Sequence, residues 1–203
     1  MKGIDLVLFD LGGVLIDIDY QATENAFVRL GVSDFHEQYT QFQQNQLFDL
    51  FEIGKISAQH FINKLLPITQ KGTSPNEVVQ AWNAMIGGFP DEKIALLERL
   101  SKQQRIALLS NTNELHMVQV KRAWEKSSAL VFESLFEQVF LSHEIQQRKP
   151  DVATFHWVCQ QLEVMPEKVL FIDDSPQHIA GAISAGLQTH FYENPLDFYA
   201  LFS

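Results

Sequence analysis

Asp10 is the first polar side chain after the apolar run Leu6-Val7-Leu8-Phe9, and Gly12-Gly13 follow almost at once. Alone, such a stretch describes an ordinary turn with an aspartate as turn former. Its significance comes from three other places. Ser110 and Asn111 close a second apolar run with neutral donors, Asp173-Asp174 close a third with two carboxylates, and Lys149, braced by Pro150, supplies a cation. If these runs are neighbouring strands, two carboxylate clusters meet at one sheet edge and repel unless something positive lies between them. Oxygen ligands and a phosphate-like substrate favour Mg²⁺ as that cation. Ser110, Asn111 and Lys149 would then grip the remaining anionic oxygens. Phosphoryl transfer needs a nucleophile, a metal and positive charge around the transferred group, and the residue types for all three are present.

The elements that must position these residues are legible from the pattern. Leu6 to Phe9, Arg105 to Leu109 and Lys168 to Ile172 are apolar runs with little alternation, as expected of parallel strands covered on both faces. Val139 to Leu141 and Leu187 to Phe191 are shorter candidates. Helical spacing fills the intervals from Asp91 to Lys102 and Leu115 to Glu125, runs through Phe155, Val158 and Leu162 with Asp151 as the cap, and continues through Ile179 and Ile183 to Gly186. A short terminal helix is expected over Leu196 to Phe202, and His143 to Pro150 reads as a loop. Strands alternating with helices predict an α/β fold with a doubly wound parallel sheet. Such sheets hold ligands beyond the carboxyl ends of their strands, where Asp10, Ser110 and Asp173 would stand.

Between Asp17 and Phe89 no strand pattern occurs. A helix is expected from about Tyr20 to Gly31, a second capped by Ser33 and running through Phe35, Tyr39, Phe42 and Leu47, and a third capped by Ser57. After a loop from Pro67 to Pro75, a fourth runs through Val78, Trp82 and Met85. This block, residues 17–89, reads as a helical bundle inserted after the first strand, and residues 1–16 with 90–203 form the α/β core. A flap near Leu15 to Asp19 and a hinge at Gly87-Gly88 would connect the two. Whether Phe42, Phe48, Phe51 and Trp82 face a cleft or the bundle core is left open by periodicity.

Composition narrows the partners. A hydrophobic fraction of 46% suffices for a sizeable core, and a formal net charge of −10 argues against a nucleic-acid partner. A small anionic metabolite remains compatible, because a few local donors and a metal can hold it. The single cysteine, Cys159, reads as a buried side chain. Asp5 and Asp10 interrupt the N-terminal hydrophobic stretch, no uncharged run is long enough to cross a bilayer, and the expected location is a reducing cytoplasm.

Phe9-Asp10-Leu11-Gly12-Gly13-Val14, Leu109-Ser110-Asn111-Thr112-Asn113, Arg148-Lys149-Pro150-Asp151 and Phe171-Ile172-Asp173-Asp174-Ser175 resemble, in order, the four motifs of the haloacid dehalogenase superfamily. The inserted block resembles that family's cap. Ser110 to His116 and Phe51 to Phe61 resemble the bacterial alpha-D-glucose-1-phosphate phosphatases. The resemblance implies a Rossmann-like core and a Mg²⁺-dependent phosphatase acting on a small phosphorylated metabolite, with a sugar phosphate such as glucose-1-phosphate the expected class. It implies Asp10 as nucleophile and metal ligand, and Gly12 as a carbonyl ligand. Asp174 would be a direct ligand, with Asp173 close behind or acting through water. Ser110 and Asn111 would bind phosphate oxygens, and Lys149 would pair with both nucleophile and phosphate.

Gly12 departs from the pattern. Many phosphatases of this family carry a second aspartate there as general acid and base, a role worth roughly 10²–10⁴-fold. Asp17 and Asp19 are the substitutes the sequence offers. Two other readings stand beside the phosphatase. One is a metal-free 2-haloacid dehalogenase, opposed by the acid pair Asp173-Asp174. The other is a non-catalytic binding or regulatory protein on the same scaffold, supported by Gly12 alone.

Overall fold

The computed structural model describes residues 3–32 and 46–202. Its principal elements, in chain order, are β1 (Leu6–Phe9), α1 (Tyr20–Arg29), α2 (Gln46–Glu52), α3 (Ala58–Leu65), α4 (Pro75–Asn83), α5 (Asp91–Leu100), β2 (Arg105–Ser110), α6 (Glu114–Glu125), β3 (Val139–Leu141), α7 (Ser142–Ile145), α8 (Val152–Gln161), β4 (Val169–Asp173), α9 (Pro176–Ser184), β5 (Gln188–Phe191) and α10 (Pro195–Ala200). The strands make one parallel sheet in the order β3-β2-β1-β4-β5. The expected doubly wound architecture with an inserted helical cap is the observed one. β1 lies between β2 and β4, so chain crossings diverge beside it and leave a crevice at its carboxyl end.

Each central strand is buried on both faces, which is why its sequence is a continuous apolar run. Val7, Phe9, Ile106, Leu108, Leu170 and Ile172 face α5, α6 and the C-terminal Phe198 and Phe202. Leu6, Leu8, Ala107, Leu109, Val169 and Phe171 face α8 and α9. The edge strand β5 is only partly covered. The register pairs Phe9 with both Leu108 and Ile172, so the residues just beyond these three positions emerge together.

The helical block α1–α4 has a core of its own. Phe51 and Phe61 stack at 4.3 Å, and Trp82 stacks on Phe48 at 5.3 Å, with Phe27 and Val78 packed in the same cluster. Ser57 caps α3 as expected. α4 begins at a Ser74–Glu77 capping box, a signal present in the sequence within and just beyond the stretch expected to be loop. The expected helix through Phe35, Tyr39 and Phe42 lies outside the described residues. Two local expectations differ. The segment from His143 starts within the short helix α7, and Asp151 makes no side-chain cap to α8; instead Thr154 Oγ1 donates to the Arg148 carbonyl at 3.0 Å.

The two connections to this block run side by side. Gly87 N donates to the Asp17 carbonyl at 2.9 Å, Asp17 N to Gly88 at 3.0 Å and Asp19 N to Met85 at 2.9 Å, with Ile18 bridged to Ile86. A Cβ at Gly87 would lie 2.8 Å from the Asp17 carbonyl oxygen, so close pairing of the connections requires a glycine there. The flap and the hinge form one antiparallel ribbon.

Candidate active site

Asp10 follows β1 directly, and its N–H donates to the Ile172 carbonyl at 2.9 Å, which fixes it beside the end of β4. Lys149 arrives from the segment before α8. Its Nζ donates to Asp10 Oδ1 at 2.5 Å and to Asp173 Oδ2 at 2.7 Å. Lys149 and Asp173 are almost wholly inaccessible, and Asp10 is 7% exposed. Asp173 Oδ1 also accepts from Ser175 N at 2.8 Å, and His178 Nδ1 stands 3.0 Å from both carboxylate oxygens.

The electrostatics follow from burial and pairing. Burial alone would pull the Lys149 ammonium down, but the charges and hydrogen bonds of Asp10 and Asp173 outweigh it and hold the group above its ordinary value. Asp173 is likewise opposed by burial, and Lys149 and His178 keep it below the usual carboxylate range. Asp10 moves upward, because burial and the Asp173 charge exceed the help from Lys149. Asp174 is pushed to about 7 by burial and by the charges of Asp10 and Asp173. Oxygens of Asp10, Asp173 and Asp174 lie within 4.8 Å of one another. A hard-oxygen set short of positive charge fits a small divalent cation.

Gly13 makes this convergence possible. It has φ +75°, and a Cβ there would overlap the Asp174 carboxylate at 2.1 Å from Oδ2. Gly12 lines the cavity, and its missing Cβ would meet Ile18 Cγ1 at 3.2 Å. An aspartate at that position would have to displace a flap side chain. Asp17 and Asp19 do not fill the gap: neither lines the cavity, and Asp19 caps α1 by accepting from Ala22 N at 3.2 Å.

Ser110 and Asn111 both line the cavity, yet the Asn111 side chain is already engaged. Its Nδ2 donates to the Lys149 carbonyl at 2.9 Å, and its Oδ1 accepts from Lys149 N at 3.0 Å. Asn111 therefore positions the lysine with one Nδ2 hydrogen and its Oδ1, and the amide's second hydrogen takes part in neither bond. Nothing local in the sequence could reveal this, since the partner lies 38 residues away.

The cavity, about 290 Å³, opens between the strand ends and the helical block. Phe48 and Trp82 belong both to its wall and to the block's core, whereas Phe51 is core alone. Tyr20 is also on the wall; burial, then Asp174, Asp10 and Glu52, push its phenol upward. Two cross-links join the block to the core at this wall. Arg148 Nη1 donates to Asp49 Oδ1 at 2.7 Å and Glu52 Oε1 at 3.0 Å. Trp82 Nε1 donates to Asn113 Oδ1 at 3.3 Å, while His116 stacks on Trp82 at 4.9 Å and its Nε2 meets the Trp82 carbonyl at 3.2 Å. Sequence reading assigned no individual role to Asp49, Glu52, Asn113, His116, Arg148 or His178. Glu52, Arg148, Asn113 and His116 do fall within the stretches that carried the resemblance, the only available signal for them.

Comparison with known proteins gives a consistent picture. A family model for haloacid dehalogenase-like hydrolases matches residues 4–186. D-ribitol-5-phosphate phosphatase of Bacteroides thetaiotaomicron is 28% identical over 191 residues, covering 94% of this chain and 93% of that protein. A phosphorylated carbohydrates phosphatase of Thermotoga maritima is 24% identical over 195 residues, covering 91% and 83%. Among solved structures, a wild-type HAD family enzyme of B. thetaiotaomicron in complex with magnesium and inorganic phosphate superposes with TM-score 0.90 at 30% identity, covering 98% of this chain and all of that one.

Proposed function

Because the chain belongs to the haloacid dehalogenase-like hydrolases, we propose that it is a Mg²⁺-dependent phosphoric monoester hydrolase acting on a small phosphorylated carbohydrate. The observation that carries the reading is the buried Asp10–Lys149–Asp173 cluster with Asp174 beside it, open to a cavity of metabolite size. The phosphorylated substrates named for two curated relatives support the substrate class. Glucose-1-phosphate belongs to that class, as do polyol phosphates.

In this reading Asp10 is the nucleophile: one carboxylate oxygen forms a bond to phosphorus as the ester oxygen departs, and water later cleaves the aspartyl-phosphate. Lys149 orients the Asp10 carboxylate through its 2.5 Å bond and offsets negative charge on the transferred group. Asp173 and His178 hold the lysine end of this arrangement, and Asn111 fixes the lysine main chain. Ser110 contributes a hydroxyl at the phosphate end. Asp10, Asp174 and the Gly12 carbonyl would hold Mg²⁺, with Asp173 behind them. When bound, the ion supplies charge compensation to the phosphoryl oxygens. The acid pair also weighs against a metal-free dehalogenase, which would leave Asp174 beside two carboxylates with only Lys149 to compensate.

The test is phosphate release from a panel of sugar and polyol phosphates, with and without Mg²⁺, in the unmodified protein and in Asp10→Asn. Turnover that requires Mg²⁺ and vanishes in the variant is the expected result. Undiminished turnover by Asp10→Asn would remove Asp10 from the nucleophile role.

A further inference from the structure

Ser142 stands where three parts of the molecule meet. β3 pairs with β2 through Leu141 and Ser110, so Ser142 and Thr112 emerge just beyond that pair at the carboxyl edge of the sheet. The Ser142 hydroxyl accepts from Thr112 N at 2.9 Å, and it lies 2.7 Å from the Glu52 carbonyl and 2.9 Å from the Thr112 carbonyl. Glu52 ends α2, and its carbonyl is among the last four of that helix, which no intrahelical N–H satisfies. The following turn rests on the same place. Gly54 has φ +66°, and a Cβ there would collide with the His143 carbonyl oxygen. Lys55 Nζ donates to Gln146 Oε1 at 2.6 Å a little further on. The helical block is thus seated on the segment from Ser142 to Gln146, and Ser142 touches both the block and the loop Ser110–Asn113.

A hydroxyl has one proton, and here two carbonyls compete for it. Ser142 is wholly buried, so water does not stand in for either. With the block seated, the Glu52 carbonyl is the nearer acceptor. With the block lifted, the Thr112 carbonyl is the acceptor that remains on the core, and the oxygen that receives Thr112 N must reorient. That change falls one residue from Asn111, whose side chain holds the Lys149 main chain, and two from Ser110 at the phosphate end. We propose that Ser142 is a positioning residue that couples seating of the helical block to the geometry of the loop Ser110–Asn113, so that seating and phosphate affinity rise and fall together. The proposal rests on the phosphatase reading above. Contacts between a substrate's carbon chain and the block would then improve the geometry at its phosphate, which is how remote binding energy serves a reacting centre. Coupling is reciprocal, so phosphate at the loop must in turn hold the block down.

Hydrogen exchange of the unmodified protein in Mg²⁺, with and without inorganic phosphate, reads that reciprocity without a variant. Phosphate should slow the amides of Ile53, Gly54 and Lys55, which donate to Asp49, Phe51 and Leu50 at the seated end of α2. The slowing should exceed that of Gln70, whose N–H donates to the Leu30 carbonyl at 2.7 Å within the block. Equal slowing at the two places, or slowing confined to residues 110–113, overturns the coupling. Ser142→Ala removes the hydroxyl, and the nearly isosteric Ser142→Cys weakens its bonds. In either variant, well below its unfolding transition, inorganic phosphate should inhibit hydrolysis of p-nitrophenyl phosphate about tenfold more weakly. The extra slowing at Ile53 to Lys55 should shrink toward that at Gln70. An unchanged inhibition constant in a folded variant overturns the role of Ser142, and if neither variant folds the exchange comparison in the unmodified protein decides. Absence of turnover by the unmodified protein with every phosphate ester, p-nitrophenyl phosphate included, overturns the phosphatase reading instead.

Discussion

Two buried polar clusters border the same cavity and solve the burial problem in opposite ways. At the strand ends, Lys149 is wholly enclosed yet charged, because Asp10 and Asp173 stand at 2.5 and 2.7 Å. At the junction with the helical block, His116 is also buried but has no carboxylate partner among the described residues. Its Nδ1 lies 3.1 Å from Asn113 Nδ2 and its Nε2 3.2 Å from the Trp82 carbonyl, and burial depresses its pKa to about 4 against the opposing pull of that carbonyl. The ring pattern this implies is a neutral imidazole, accepting at Nδ1 and donating at Nε2. The difference teaches where charge is needed: the reacting end keeps ionised groups at the cost of desolvation, while the structural junction uses neutral bonds and stacking, which tolerate burial more easily.

The largest effect should come from breaking the ionic cluster. Lys149→Met leaves Asp10 and Asp173 buried without their shared cation, a loss expected to cost roughly 3–5 kcal/mol. Urea midpoints measured without Mg²⁺ would show it, and phosphatase turnover should fall to background in the same variant. Pairing the change with Asp173→Asn should recover part of the stability and none of the turnover. A single variant as stable as the unmodified protein would mean the cluster does not depend on Lys149 for its charge balance.

The neutral cluster makes a pH-dependent prediction. His116 is held at about 4 in the folded protein and returns to about 6.5 when unfolded, so the unfolded chain takes up the proton first. The contribution is complete above pH 6.5 and is lost as pH falls from about 6.5 to about 4. It corresponds to roughly 3 kcal/mol over that interval. The difference in unfolding free energy between the unmodified protein and His116→Gln, followed from pH 7.5 to 4.5, isolates it from other titrating groups. Parallel curves for the two proteins would show that His116 is not the linked group.

How much of this was written in the sequence depends on how local the cause is. The central strands were legible because burial on both faces forces continuous apolar runs such as Leu6–Phe9 and the Val169 to Ile172 stretch of β4. The polar residues that end those runs were legible as a group for the same reason, since a parallel sheet brings strand ends to one edge. What stayed hidden depends on partners distant in the chain. Asn111 is turned toward Lys149, Gly13 is required by the Asp174 side chain, and the empty position at Gly12 is walled by Ile18. The pairing of the flap with the hinge is equally nonlocal. Asp17 and Asp19 looked available as acids because sequence proximity to Asp10 was the only guide. In the fold neither lines the cavity, and Asp19 is used to cap α1.

The smallest expected effect is also the sharpest test of the comparison, because it converts one kind of cluster into the other. Asn113 Oδ1 accepts from Trp82 Nε1 and His116 N, and a carboxylate can keep both bonds. Asn113→Asp would change chiefly the third contact, replacing the amide opposite His116 Nδ1 with an acceptor that favours a proton on that nitrogen. His116 would then carry protons on both nitrogens, with the Trp82 carbonyl and the new carboxylate as acceptors. Near neutral pH the variant should lose only about 1 kcal/mol, since most of the bonds persist. Its pH dependence should change sign. A histidine raised above 6.5 by a partner contributes stability that is full below 6.5 and is lost as pH climbs through the folded value. Relative to the unmodified protein, the variant should therefore gain on acidification, and the two stability curves should converge or cross between pH 6.5 and 4. NMR titration of the His116 ring would report the same shift directly. A variant that kept the original slope would mean that burial sets the state of His116 regardless of partner, and the contrast with Lys149 would then owe nothing to counter-charge.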